Sequence, residues 1–327
     1  MIETTTTEGS MMPMSILLET DSALKKFDSD LLKTYVPGKE FVSGKAAKAV
    51  STAPTAKEIK PLHKSYQRPN GEVYLPRTVK SGESNFQDVA FVETAYEKGL
   101  SLLLYGPPGT GKTALVEAAL DNVVTVLGSI ETEAADFVGS WVQQTDGTYL
   151  WVDGPALVAA ENGWPMLIDE IALIDPRQLS VVYSLMDGRN EISVTANPDR
   201  GKVSAKPGFL VFGATNPNVP GAVMSEALLS RFSVHVEMQT DWKIAAKLDV
   251  PPKIIEVARN LGKKAESGIV SDPPQLREVI AFKNIAEAFS EDVALENFIS
   301  MSRPEDRVYV EEAIKSVFGK SPKVLTF

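Results

Sequence analysis

Apolar residues recur near helical spacing at Ile16, Leu17, Leu24, Phe27, Leu31 and Leu32, which predicts one amphipathic helix over residues 15–35. From residue 37 to residue 84 this pattern fades into Lys, Ala, Ser, Thr and Pro. One short hairpin is predicted there, at residues 66–75, turning on Asn70-Gly71. From Phe86 onward the pattern becomes orderly. Residues 88–98 predict a helix stopped by Gly99, residues 101–105 an apolar strand, and residues 112–122 a second helix. Further strands are predicted at 123–127, 165–168 and 209–214. Strands alternating with helices imply a parallel sheet covered by helices on both faces. Two hairpins interrupt the scheme, one at 141–151 turning on Asp146-Gly147, the other with extended arms at 191–209 around residues 197–201. After Thr240 only helices are expected, at 242–248, 252–261, 274–288, 291–301 and 304–318. The expected organisation is an irregular N-terminal arm (1–85), a three-layer α/β/α domain (86–240) and a small α-helical domain (241–327).

Composition narrows the chemistry. The 327 residues contain no cysteine and two histidines, His63 and His235, far apart in sequence. Thiol nucleophiles and thiolate metal sites are excluded, and a zinc site or a Ser-His-Asp hydrolase is a poor fit. The chain has 33 Lys+Arg against 43 Asp+Glu, a net charge of −10, yet residues 37–84 carry nine Lys/Arg and four Glu. That local basic segment reads either as a solvated arm or as a segment that packs along its own domain or a neighbouring subunit. No apolar run is long enough to span a bilayer, and the start lacks the basic and apolar regions of a signal peptide. The expectation is a cytoplasmic protein with no membrane partner. What remains is chemistry from backbone, carboxylates, Lys/Arg and an oxygen-bound metal.

Three motifs supply that chemistry. Gly106-Pro107-Pro108-Gly109-Thr110-Gly111-Lys112-Thr113 fits the phosphate-loop pattern G-x-x-x-x-G-K-[ST], between an apolar strand and a helix. Its backbone N–H groups, through Ala114, would cradle phosphates at the positive end of the helix; Lys112 would neutralise the β/γ-phosphates and Thr113 would hold Mg²⁺. Met166-Leu-Ile-Asp169-Glu170 is an apolar strand ending in two acids. Asp169 is expected as a Mg²⁺ ligand and Glu170 as the group that orients or deprotonates the attacking water. The strand at 209–214 runs into Thr215-Asn216-Pro217, which places Asn216 at a carboxyl end, where it could sense the γ-phosphate. Arg231, after the apolar half-helix 225–230, is a candidate arginine finger for a neighbour's γ-phosphate. Trp141, Tyr149 and Trp151 on the first of these hairpins are candidates to grip a client, and Tyr149 and Trp151 share one face of their strand. Contact with a client and packing beneath the hairpin account for them equally well. Arg189 and Arg200, near the second hairpin, read first as solvated surface residues and otherwise as groups facing a nucleotide or a partner.

Taken together, Gly106–Thr113, residues 167–170, 214–217 and 228–232 resemble an AAA+ ATPase, and most closely the MoxR-like branch with its CbbQ/NorQ, GvpN and CobS type ATPases. The resemblance spans about residues 86–290. It implies a P-loop NTPase fold with a helical lid, a hexameric ring with ATP and Mg²⁺ between subunits, and hairpins inserted in the second helix and before the sensor strand. It also implies a second sensor arginine at a lid helix start. Arg277 is the nearest candidate, two positions beyond where a Ser/Thr-x-Arg pattern begun at Pro273 would place it. The function implied is ATP hydrolysis that remodels or activates a protein client, chaperone-like. In that branch the client is often a separate protein with a von Willebrand A domain. Two other readings stand beside it: a nucleic-acid-stimulated motor, for which only the basic arm supplies charge, and a slow nucleotide-switched assembly protein of GvpN type.

Overall fold

The structure is a computed structural model that describes residues 66–81, 84–217 and 219–326. The helix expected over residues 15–35, and most of the basic segment, lie outside the described residues.

Five short strands form one fully parallel sheet in the order β13-β5-β12-β9-β6. They are β5 (Leu102–Tyr105), β6 (Val124–Leu127), β9 (Met166–Asp169), β12 (Val211–Thr215) and β13 (Val234–Glu237). Registers such as Thr215 opposite Tyr105 and Leu127 opposite Asp169 align their carboxyl ends. The three central strands are apolar on both faces, as helices on both sides require. Leu102, Leu104, Leu167, Phe212 and Ala214 face a core shared with α1 (Asp88–Glu97) and α2 (Lys112–Ala119). Leu103, Met166, Ile168 and Val211 face the opposite core. That second core is closed by α3 (Ala134–Val138), α4 (Pro155–Asn162), α5 (Pro176–Leu179) and α6 (Tyr183–Met186). The three-layer α/β/α expectation is met.

Several local expectations are corrected. The second helix stops at Ala119 rather than near residue 122, because Leu120 is already extended and Asn122 takes a left-handed conformation. Strand β13 was not anticipated, although Val234 and Val236 alternate with His235 and Glu237 in the two-residue period of a half-buried edge strand. Helix α4 was also missed; Pro155 opens it and left-handed Gly163 closes it. The anticipated hairpins are present as β7 (Gly139–Gln143) with β8 (Tyr149–Asp153), and β10 (Glu191–Ser193) with β11 (Lys202–Ser204).

Upstream of the sheet, β1 (Tyr66–Gln67) pairs with β2 (Val73–Tyr74), and β3 (Thr78–Ser81) pairs with β4 (Ser84–Gln87). Tyr66 and Tyr74 face each other across the first hairpin and are buried with Leu104 and Val116. A two-stranded hairpin is marginal alone, so this aromatic pair joins the core beneath the sheet to gain its stability. The short helix α7 (Glu226–Leu229) lies between β12 and β13. C-terminal to the sheet, α8 (Trp242–Lys247), α9 (Pro252–Glu266), α10 (Leu276–Ala288), α11 (Glu291–Ser300) and α12 (Arg307–Phe318) close around their own core, which Leu75 also touches. Among the described residues no helix is long and apolar enough to cross a membrane.

Candidate active site

Strand β5 ends at Tyr105, and the chain turns into a loop before α2. Gly106 makes this turn with φ of 146°, and a Cβ there would stand 2.2 Å from the Met238 carbonyl oxygen. Only glycine fits. Its N–H donates to the Thr215 carbonyl at 3.2 Å, which ties the loop to β12. Thr110 is fully buried and donates its hydroxyl to the Pro107 carbonyl. Gly111, also left-handed, is the N-cap of α2, so the first N–H groups of that helix open into the loop.

Lys112 is 6% exposed, and its ammonium donates to the Gly106 carbonyl at 2.9 Å and the Pro107 carbonyl at 3.0 Å. Burial pushes this ammonium below its ordinary value; Glu170 and Asp169 pull it back up, and Arg277 adds to the lowering. A cation held this way gains from an anion placed beside it. Thr113 donates its hydroxyl to Asp169 Oδ2 at 2.5 Å, while Asp169 Oδ1 accepts the Glu170 N–H at 3.0 Å. Glu170 sits at φ 50°, ψ 38°, a left-handed conformation that costs a non-glycine residue on the order of 1 kcal/mol or more. Its Oε2 is buried without a hydrogen-bond partner. A strained residue with an unsatisfied buried oxygen is costly unless a ligand completes it.

Pro108, Gly109, Gly111, Lys112, Thr113, Ala114, Asp169, Glu170 and Arg277 all line one cleft of about 520 Å³. Arg277, at the start of α10, packs against Gly109. The rest of the cleft wall combines apolar side chains, Val73 and Leu75 of the first hairpin with Ile244, Leu248 and Ile280 of the C-terminal helices, with the charged Arg68, Glu72 and Arg77. Among the described residues no three His, Cys, Asp or Glu side chains gather as a metal cluster. Thr113 and Asp169 offer hard oxygen ligands to a Mg²⁺ that keeps most of its coordination for water and phosphate, which is how that ion is usually held.

A family model of the AAA domain (dynein-related subfamily) matches residues 101–232, from β5 through Arg231 and Phe232. An uncharacterized protein of Staphylococcus aureus (strain NCTC 8325 / PS 47) is 30% identical over 198 residues, covering 57% of this chain and 68% of its own length. The chain belongs to the AAA family. An uncharacterized protein of Staphylococcus haemolyticus (strain JCSC1435) is 32% identical over 166 residues, 48% of this chain and 61% of its own. A solved protein from Cytophaga hutchinsonii overlays with a TM-score of 0.39 at 16% identity, covering 73% of this chain and 82% of that one. A likeness that distant adds nothing to the assignment.

The AAA domain accounts for the motif residues but leaves two apart from the cleft wall. Asn216 is buried just beyond β12, one step past the pair Thr215–Tyr105, and so lies beside the start of the phosphate loop. Arg231 does not line the cleft; it lies over the Tyr183 ring. Arg200 was expected to be solvated and is instead ion-paired to Asp153 at 2.6 Å and Glu161 at 2.7 Å. Arg189 is exposed and pairs with Asp187. On the β7–β8 hairpin, Trp151 is half-buried against the core, whereas Tyr149 is 63% exposed and Trp141 48%.

The first hairpin supplies cleft residues that sequence reasoning left in the arm. Arg77 donates to the Thr110 carbonyl inside the phosphate loop and to the Gln239 carbonyl at 3.3 Å. It is set there by Asp88, which accepts the Arg77 N–H at 2.9 Å and the Tyr74 hydroxyl at 2.5 Å. Burial raises the Asp88 carboxyl above its ordinary value, against the lowering effect of these hydrogen bonds. The available signal was the hairpin itself, with Tyr66 opposite Tyr74 on one face.

Proposed function

We propose that this chain binds ATP with Mg²⁺ in the cleft and hydrolyses it as one subunit of a ring, a hexamer of the MoxR-like branch, to remodel or activate a protein client. The observation that carries the chemistry is the end of β9: Asp169 tied to Thr113 at 2.5 Å, with the buried, unpartnered oxygen of Glu170 beside it. The apolar wall between Val73, Leu75 and Ile280 suits a purine, and the loop end with Lys112 suits its phosphates. On binding, the Lys112 ammonium exchanges two backbone carbonyls for β/γ-phosphate oxygens. Mg²⁺ held by Thr113 and Asp169 would supply charge neutralisation on those oxygens. Glu170 orients the attacking water and takes its proton, and Asn216 holds the γ-phosphate side of the site. Arg277 adds charge from the lid. Arg231, remote from its own cleft, stabilises transition-state charge at a neighbour's cleft.

The test is Glu170→Gln. Steady-state ATP turnover should fall about 100-fold or more while nucleotide affinity stays within a few-fold, measured by titration with a fluorescent ATP analogue. Turnover at the wild-type rate would remove Glu170 from the mechanism. Affinity capture with the same variant, which should hold ATP without releasing it, is the route to the client.

A further inference from the structure

Arg231 has an unusual setting for a cationic side chain. Its guanidinium lies 4.1 Å from the centre of the Tyr183 ring. One terminal nitrogen donates to the Ala227 carbonyl, and Nε is buried without a partner. Among the described residues no carboxylate forms an ion pair with it; the nearby Asp187 is paired with Arg189 instead. The backbone beneath is pinned as well. Phe232 is buried on the sheet where Gly213 has no side chain, and a Cβ on Gly213 would come within 2.8 Å of the Phe232 ring. Tyr183, on α6, is itself packed against the core, so the platform is rigid.

We infer that Tyr183 is a positioning residue for Arg231, an aromatic platform that holds the guanidinium in place for a neighbouring subunit's nucleotide. This rests on the reading of Arg231 as an arginine finger. The physical advantage lies in what the ring does not do. A carboxylate would hold the arginine more tightly but would cancel the charge needed at the developing phosphoryl anion. A ring face attracts the cation through its quadrupole and leaves its formal charge intact.

The experiment compares Tyr183→Phe, Tyr183→Leu and Arg231→Ala in the full-length chain, reading kcat and KM for ATP alongside thermal melts. Phe keeps both packing and quadrupole; Leu keeps much of the packing and loses the quadrupole. Tyr183→Phe should retain at least about half the wild-type kcat. Tyr183→Leu should lower kcat roughly 3- to 30-fold, with KM changed less than about twofold. Tyr183→Met serves as a second quadrupole-free variant should Leu melt below the assay temperature. Equal kcat in the Phe and quadrupole-free variants, whether both active or both impaired, overturns the platform. If Arg231→Ala turns over at the wild-type rate, the finger reading falls and the platform with it. If Arg231→Ala is inactive while Leu matches Phe, the platform alone falls.

Discussion

Arg77 shows how a single side chain joins segments that the sequence keeps apart. From the link between the two N-terminal hairpins it bonds the Thr110 carbonyl of the phosphate loop and the Gln239 carbonyl after β13. A charged donor on a partly buried carbonyl is worth about 1.5–3 kcal/mol. Arg77→Ala should therefore weaken nucleotide affinity roughly 10-fold or more in a direct titration. Unchanged affinity would show that the loop holds its shape without it. Tyr74→Phe should cost about 1–3 kcal/mol in a urea melt, because the buried Asp88 carboxyl then loses its 2.5 Å donor. Lys112, Thr113, Asp169 and Glu170 were legible from the sequence because each belongs to a contiguous motif whose chemistry is local. Arg77, Tyr74 and Asp88 were not, because their roles exist only once the hairpin is folded against α2 and the loop.

The two inserted hairpins were found from their turn residues, but their mutual bracing was not. Trp141 donates its indole N–H to the Ala196 carbonyl at 3.0 Å, crossing from β7 to the loop between β10 and β11. From that second loop Arg200 returns to Asp153, the last residue of β8, and to Glu161 on α4. The Arg200 hydrogen bond, helped by that of Trp151, holds the Asp153 carboxyl below its ordinary value against the opposing effect of burial. A carboxylate lowered in the folded state contributes stability that is full above its unfolded value near 4 and is lost as pH falls through the folded one. Arg200→Ala should cost about 1 kcal/mol at pH 7. Urea melts from pH 7 down to 3 should show the wild type converging on Asp153→Asn as acid is added. A gap between them that is constant with pH would mean the pair contributes no linked stability. Turn dipeptides such as Asp146-Gly147 announce a hairpin locally, whereas a bridge between hairpins depends on how both lie on the core.

At the scale of the whole molecule, the cleft is closed by three parts: the sheet's loops, the C-terminal helices through Ile244, Leu248 and Ile280, and the first hairpin through Val73 and Leu75. Nucleotide should thus stabilise all three together. Saturating ATP with Mg²⁺ at about 100 times its Kd should add about 2.7 kcal/mol, seen as a rise in Tm that Lys112→Ala abolishes. Truncation to residue 86 should lose that response and destabilise the domain, because it removes Tyr66 and Tyr74 from the core around Leu104 and Val116. Truncation to residue 66 should keep it. A stable, ATP-responsive fragment beginning at residue 86 would show the hairpins to be dispensable. By itself the sequence determined the parallel α/β plan and the site's central acids and lysine. Alternating apolar strands and contiguous motifs are set by local periodicity and by the backbone needs of a phosphate loop. Only the tertiary structure decided that the first hairpin belongs to the cleft, that Arg277 reaches Gly109, and that Arg231 rests on Tyr183 away from its own site. Those relations run between residues far apart in the chain, and they are settled by which apolar faces bury together rather than by any pattern along it.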